Sequence, residues 1–149
     1  MKIIYYFKLS LGYKLSSQII ITYYEVEPMG NIEVFDEKKI NEKLVNEVKD
    51  WTYDGKWIRK TYKTHSWKST LMVINAIGHL AEVAWHHTDL VVSYAFVEVK
   101  LMTHDKKGIT DLDFELAKKI DNVVQWNPNS ENGPFEGTPK DPRFAYIKL

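Results

Sequence analysis

The sequence contains no cysteine among its 149 residues. This absence excludes a disulfide framework and a thiolate metal site, and it is compatible with a reducing cytoplasm, the location we expect. The 20 basic and 20 acidic side chains give a formal net charge of zero, so the basic excess that attracts nucleic acid or an anionic membrane is also missing. A small-molecule ligand or a protein partner fits this balance better.

Long apolar runs are absent too. The N-terminal stretch MKIIYYFKLSLGYKLSSQIIITYYEVEPMG is interrupted by Lys8, Gly12 and Lys14 before it reaches the ~20 apolar residues that a membrane span needs. Its first apolar run is short, and no small-residue cleavage site typical of a signal peptide follows. The segment IIITYYEV has the composition of a strand. We therefore interpret residues 1–35 as an N-terminal extension that could add one strand; alternatively, Met29 is the true start, and the first 28 residues are not part of the protein.

Glycine and proline are sparse, and their distribution marks the domain. Four of the five prolines and two of the seven glycines follow Gln125. A chain of this length buries one sizeable core and is too short for two ordinary domains. We expect one domain over residues 36–125 and an irregular Pro/Gly-rich tail over residues 126–149, whose last segment FAYIKL could add an edge strand.

Regular elements begin after Asp36. The run DEKKINEKLVNEVKDW predicts an amphipathic helix with Asp36 as its N-cap. The run WTYDGKWIRKTYKT places Asp54-Gly55 between aromatic and β-branched residues, which predicts a β-hairpin. The run LVVSYAFVEVKLMT reads as a strand, whose residues from Tyr94 to Met102 alternate. We expect the first helix to bury Ile40, Leu44, Val45 and Val48, and the strand to bury Val97, Val99 and Leu101, leaving Tyr94, Phe96, Glu98, Lys100 and Met102 on its other face.

Two further helices complete the pattern. Residues 66–86 repeat apolar side chains at helical spacing and carry a polar stripe on the opposite face. Thr110 and Asp113 match a capping box that opens a third helix. The order helix, hairpin, helix, strands, helix predicts an α+β domain in which the helices cover one face of an antiparallel sheet. The predicted core faces are Val73, Ile74, Ile77, Leu80, Ala81 and Ala84, then Leu112, Leu116, Ile120 and Val123 or Val124; the polar stripe is Asn75, His79, Glu82 and His86.

Several spaced residues resemble the signature of the pterin-4a-carbinolamine dehydratases. They are Glu82, His86-His87, Tyr94, Thr103-His104-Asp105, Gly108 and Asp113, and the resemblance covers roughly residues 36–125. It implies a four-stranded antiparallel sheet with three helices on one face, a homodimer or homotetramer, and a cofactor-free, metal-free lyase. The reaction would dehydrate 4a-hydroxytetrahydropterin (4a-hydroxytetrahydrobiopterin) to quinonoid dihydropterin in tetrahydrobiopterin recycling.

The resemblance also assigns roles to positions of this sequence. The catalytic set is His86, His87, His104 and Glu82, and the substrate-binding set is Thr103, Asp105 and Asp113. Three positions depart from the family pattern and bear on the rim of the pocket. Thr88 follows the histidine pair where proline is usual, Leu90 stands where many members have an aromatic residue, and Trp85 stands where an acid is frequent.

Histidine suits this chemistry because the departing hydroxyl needs a proton and N5 must lose one. An imidazole with a pKa near ~6.5 can do either near neutral pH. We favour His104 as the acid, His86 as the main base and His87 as a binder, although the sequence alone leaves this division open. Glu82 lies one helical turn before His86 and could hold its ring in one tautomer.

Three alternatives accompany this interpretation. Three histidines and a carboxylate are also good zinc or iron ligands, although adjacent helical residues point about 100° apart and no HxH or HExxH spacing is present. Members of the same family act as dimerisation cofactors of a transcription factor, and relatives act as Rubisco assembly factors without the activity. His65 and His79 are interpreted as ordinary surface or core histidines, and Trp51, Trp57 and Trp67 as core and hairpin packing.

Overall fold

The computed structural model describes residues 32–131, 133–139 and 141–147, so the predicted strand IIITYYEV and Met29 lie outside the described residues. The described part has a four-stranded sheet in the order β1-β2-β4-β3, and every neighbouring pair is antiparallel. Three helices pack on one face, so the predicted α+β fold is confirmed. The elements are α1 Glu37–Glu47, β1 Thr52–Tyr53, β2 Ile58–Lys63, α2 Trp67–Ala84, β3 Asp89–Ser93, β4 Phe96–Leu101 and α3 Asp111–Val124.

Each helix begins at a side-chain cap. The Asp36 carboxylate accepts the Lys39 N–H at 2.8 Å, and Ser66 caps α2 through the Ser69 N–H. At α3 the capping box predicted from the sequence is present, with Thr110 as N-cap and Asp113 as its partner. These oxygens satisfy backbone donors that the first turn of a helix leaves without partners. The caps also fix the residues at which α2 and α3 start.

The core lies between the sheet and the helices. Val97, Val99 and Leu101 on β4 are fully buried, as the alternation predicted. Two predicted core positions are wrong, since Val45 and Ala84 are exposed; each lies at the margin of its helix's apolar face. Of the two alternatives predicted at the end of α3, Val124 is the buried one and Val123 is exposed. Phe114 and Ala117 are buried instead, because α3 packs against both α1 and α2 and so buries a wider stripe.

Two turns shape the sheet. Gly55 adopts a positive φ of 94° in the predicted β1–β2 hairpin, a conformation that glycine tolerates best. The second turn is at Tyr94 and Ala95, which join β3 to β4. The prediction that Tyr94 belongs to the β4 strand is therefore wrong. Met102 lies past the end of β4 and is buried, so its predicted place on the outer face is wrong as well.

The described part of the tail is joined to the sheet beside β2. Ile147 forms an antiparallel bridge with Thr64 just after β2, and the His65 N–H donates to the Tyr146 carbonyl at 3.3 Å. Tyr146 and Ile147 pack against the core. The described part of the FAYIKL segment thus makes a single bridge. Within the described residues, no helix is long and apolar enough to cross a membrane.

Candidate active site

The end of α2 places the histidine pair. The helix stops at Ala84, and Trp85 takes the left-handed conformation with φ 50° and ψ 37°. The Trp85 N–H donates to the Glu82 carbonyl at 3.1 Å, and the His86 N–H donates to the Ala81 carbonyl at 3.0 Å. This pair of bonds is a Schellman motif, which turns the chain away from the helix axis. His86 and His87 therefore leave the helical stripe on which the sequence had placed His86.

His86 is anchored by a buried carboxylate. Its Nε2 lies 2.8 Å from Asp113 Oδ1, and the imidazole is only 12% exposed whereas the carboxylate is fully buried. A carboxylate accepts only from a protonated nitrogen, so Nε2 carries the proton and Nδ1 keeps its lone pair in the neutral ring. This contact orients the imidazole and leaves one defined nitrogen free for proton transfer.

Asp113 is itself held by α3 and by the loop after β4. Its Oδ2 accepts the Thr110 N–H at 2.8 Å and the Thr103 hydroxyl at 2.9 Å. The Thr103 and Thr110 hydroxyls lie 2.7 Å apart. Because Thr103 gives its proton to Asp113, Thr110 donates to Thr103 while accepting the Leu112 N–H. The capping box of α3 is thus also the support of the His86 ring.

His87 pairs with Glu82 at the surface. Its Nε2 lies 3.0 Å from Glu82 Oε2, and both side chains are more than half exposed. Glu82 therefore contacts His87, and the prediction that it orients His86 is wrong. The reason is the left-handed Trp85, which swings His86 toward α3 and returns His87 toward the last turn of α2. The indole of Trp85 lies edge-to-face with the His87 ring, at 5.3 Å between centroids and 69° between planes.

His104 stands in a short 3-10 turn, His104–Lys106, that follows Thr103. Its Nε2 lies 3.8 Å from Asp89 Oδ2 at the start of β3, which is ion-pair range if the imidazole is charged and too long for a hydrogen bond. The Trp57 ring lies edge-to-face with it at 5.7 Å. His104 is 55% exposed, so its imidazole is more accessible than that of His86, and it directly follows the buried Thr103 in the sequence.

The structure links the predicted residues to different degrees. Thr103, Asp113 and His86 form one hydrogen-bonded chain, and His104 is the next residue after Thr103. Glu82 and His87 form a separate exposed pair. Asp105 is exposed in the His104 turn, beside the others in sequence.

Sequence reasoning missed three residues that contact the histidines or support their anchor. Asp89 faces His104 across a loop connection, and no spacing rule relates the two residues. Trp57 was interpreted as hairpin packing, and its partly buried ring does pack on the core while also meeting His104. Thr110 was seen as a helix cap only. The sequence did contain a signal for Thr110. Asp113 lies in the first turn of the helix that Thr110 caps, so Thr110 had to lie close to Asp113.

The three histidines can supply proton donors and acceptors both in a shielded position and at the solvent-exposed surface. One imidazole is shielded and backed by a buried carboxylate, and two others are open to solvent, each beside a carboxylate. Within residues 32–131, 133–139 and 141–147, no group of three or more His, Cys, Asp or Glu side chains is arranged to hold a metal ion. Two grooves of about 630 and 270 Å³ are lined by other residues, around α1 and β1 and between α2 and the tail.

Comparison with known proteins places the chain in a family. The model of the family described as pterin 4 alpha carbinolamine dehydratase matches residues 33–123, more than half of the chain. The protein belongs to this family.

Individual relatives agree with this assignment. A protein of Aquifex aeolicus, named provisionally as a pterin-4-alpha-carbinolamine dehydratase, is 43% identical over 94 residues, which cover 63% of this chain and 94% of the relative. A similarly named protein of Sulfurisphaera tokodaii is 44% identical over 88 residues, covering 59% and 94%. A crystal structure from Brucella melitensis, described as a transcriptional coactivator/pterin dehydratase, has a TM-score of 0.56 and 28% identity, covering 62% of this chain and 98% of that one.

Proposed function

We propose that this protein is a hydro-lyase that dehydrates 4a-hydroxytetrahydropterin to quinonoid dihydropterin. The observation that carries the proposal is the buried Asp113 carboxylate, which holds the His86 ring at 2.8 Å and also accepts the hydroxyl of Thr103, the residue before His104. A family membership without such a pair would support the fold alone. A pterin is the proposed substrate.

The chemistry requires two proton transfers. The C4a–O bond breaks while the hydroxyl takes a proton and leaves as water, and N5 loses its proton so that its electron pair forms the N5=C4a double bond. We assign the acid role to the exposed His104 and the base role to Nδ1 of His86. Asp113 then faces the imidazolium that forms on His86 and stabilises its charge, as an orienting carboxylate does in catalytic triads.

His87, Glu82, Thr103 and Asp105 complete the proposed site. His87 with Glu82 would bind the substrate at the exposed rim, while Thr103 and Asp105 would contact the pterin beside His104. Proton transfer between imidazole and substrate needs neither a metal nor an organic cofactor. We further propose that the enzyme acts in the cytoplasm, in tetrahydrobiopterin recycling, as a homo-oligomer without nucleic acid or membrane partners.

The test is a direct assay of 4a-hydroxytetrahydropterin dehydration by the purified protein, with His104→Ala as the variant. We expect kcat to fall by roughly 10²- to 10⁴-fold, the range typical of a lost general acid or base. The matched control is His79→Ala, an exposed histidine on α2 outside the cluster, which should keep wild-type turnover. An His104→Ala variant with wild-type kcat would remove His104 from the mechanism.

A second function, a non-catalytic dimerisation or assembly protein, is favoured by one observation. The structural relative from Brucella melitensis is described as a coactivator as well as a dehydratase. The same assay separates the two, because a folded wild-type protein with no turnover would favour the assembly role. An assembly role alone gives no reason for an imidazole backed by a buried carboxylate.

A further inference from the structure

Trp85 occupies a backbone position that glycine normally fills. It is the residue after the end of α2 in a Schellman motif, and its φ of 50° is left-handed. A side chain with a Cβ is strained there, and a bulky one is a genuine outlier. Such strain persists only where the surrounding structure imposes it, and strained residues are concentrated at active sites and ligand clamps.

The Trp85 side chain receives little compensation from packing. It is 77% exposed, although burial is the usual reason to keep an indole. Its described ring contact is the edge-to-face one with His87, whose own partner is Glu82 on the last turn of α2. Trp85 therefore presents most of an aromatic surface to solvent, directly beside two residues of the candidate site.

The position of the ring favours a ligand over a partner chain. A second protein packed over Trp85 would cover His87 and Glu82, which are the exposed rim of the site. A flat conjugated ring that enters the site can instead stack on the indole while its polar edge reaches the imidazoles. The quinonoid dihydropterin product is such a ring around its new N5=C4a bond, with donors and acceptors along its edge, whereas the substrate offers the planar C2–N3–C4 part of its pyrimidine ring beside the tetrahedral C4a.

We propose that Trp85 is a substrate-contacting residue that determines specificity, and that its indole forms an aromatic wall on which the pterin ring stacks. This inference rests on the proposed function and adds a residue that departs from the acid frequent at this position in the family. The left-handed turn that directs His86 toward Asp113 also holds the indole against the edge of the His87 ring.

The proposal predicts opposite changes in stability and binding. Trp85→Gly removes the backbone strain, so the urea midpoint of unfolding should rise, whereas the dissociation constant of 7,8-dihydropterin, measured by titration calorimetry, should increase about tenfold, a typical loss for one ring stacked on an aromatic side chain. Trp85→Phe keeps an aromatic face and should bind within about threefold of wild type. Trp126→Leu, which removes another exposed indole, is the matched control and should leave binding unchanged.

Each other outcome is decisive. If wild type binds 7,8-dihydropterin and Trp85→Gly binds it equally well, the wall does not exist. If Trp85→Gly leaves binding unchanged but lowers the molar mass in light scattering, Trp85 belongs to a subunit interface and the proposal is wrong. If folded wild type binds no pterin, the proposed function itself fails, and that result is distinguishable from both of the others.

Discussion

The three histidines differ in how firmly their carboxylate neighbours hold them. His86 lies 2.8 Å from a fully buried carboxylate, His87 lies 3.0 Å from an exposed one, and His104 lies 3.8 Å from an exposed one. Solvent screens exposed pairs and reduces each to about 0–1 kcal/mol, whereas a buried carboxylate with satisfied acceptors orients its partner strongly. The rigid ring is suited to a fixed base, and the freer His104 ring to delivering a proton to a departing group.

Asp113→Asn tests the buried anchor. Asparagine keeps the shape, but it has one acceptor oxygen where the carboxylate uses two, so a buried donor from His86, Thr103 or the Thr110 backbone loses its acceptor. We expect the free energy of unfolding, from urea denaturation, to fall by about 1–3 kcal/mol. Asp111→Asn, an exposed acid on the same turn, is the control and should change it by less than about 1 kcal/mol. Equal stability of Asp113→Asn and wild type would show that the anchor contributes nothing.

Sequence reasoning predicted local patterns better than contacts between distant side chains. The capping box of Thr110 and Asp113 was predicted because it is a local pattern. The Asp113–His86 contact joins residues 27 positions apart, and it depends on the left-handed Trp85, a conformation that residue type argues against. A tryptophan at that position extends the helical pattern by one residue, and it was this extension that suggested the Glu82–His86 pair.

At the scale of elements, a second polar cluster ties β2 to α3. Asp121 Oδ1 accepts Lys60 Nζ and the Tyr62 hydroxyl, each at 2.6 Å, and Oδ2 accepts Trp51 Nε1 at 2.9 Å. Gln125 provides a further acceptor for Lys60 at 3.1 Å. No buried side-chain nitrogen or oxygen in the described part of the chain lacks a partner, so this cluster is fully satisfied. It fixes the C-terminal half of α3 on the sheet, while Asp113 fixes the N-terminal half on His86.

The dependence of the free energy of unfolding on alkaline pH tests this cluster. Burial, and then the hydrogen bond and charge of Asp121, raise the pKa of Tyr62 above its ordinary value near 10. The folded protein keeps the phenolic proton where the unfolded chain has lost it, so this contribution is complete below about pH 10 and declines as pH rises beyond it. We expect the free energy of unfolding to decline above pH 10, with Tyr62 contributing up to about 1.4 kcal/mol per pH unit.

Tyr62→Phe should make that decline shallower, although it also loses one hydrogen bond at neutral pH. The control is Tyr94→Phe, in the exposed β3–β4 turn, which should keep the wild-type alkaline slope. Urea midpoints from pH 8 to 11 give the measurement. If stability declines with pH equally steeply in Tyr62→Phe and wild type, folding does not raise the pKa of Tyr62.

The elements show why some boundaries escaped prediction. The β1–β2 hairpin was predicted because Asp54-Gly55 is a strong turn signal. The β3–β4 turn has Tyr94 and Ala95, which carry no such signal, so two strands were interpreted as one. Val45 was assigned to the core by periodicity, but α1 contacts α3 and β1 along a narrower stripe and leaves it exposed.

At the scale of the whole molecule, the two connections that carry the site meet at one place. The α2–β3 connection brings His86, and the β4–α3 connection brings Thr103 and His104; Asp113 joins them. Gly108 forms a backbone bridge with Thr103 that closes the second loop, and a Cβ at this position would clash with the Val34 side chain. Periodicity could predict the layers of this fold, but the meeting of two loops depends on side-chain contacts between distant residues.

The exposed apolar surface of the molecule predicts a homo-oligomer. β3 is an edge strand with Val91 and Val92 both exposed, and α2 exposes Leu71, Met72 and Val83. Unpaired strand edges and apolar patches of this kind are covered most simply by a second copy about a two-fold axis. We therefore expect light scattering to give a particle of two or four 17.5 kDa chains.

Val91→Lys tests whether the β3 edge is part of that contact. A lysine on an edge strand opposes edge-to-edge pairing, so we expect the molar mass to fall and the far-UV circular dichroism to stay unchanged. Val123→Lys makes the same change on α3, at an equally exposed valine away from the sheet edge, and should keep the wild-type mass. A wild-type protein that is monomeric and active would refute the oligomer. A Val91→Lys protein of unchanged mass would exclude the β3 edge from the contact, and the exposed apolar residues of α2 would be substituted next.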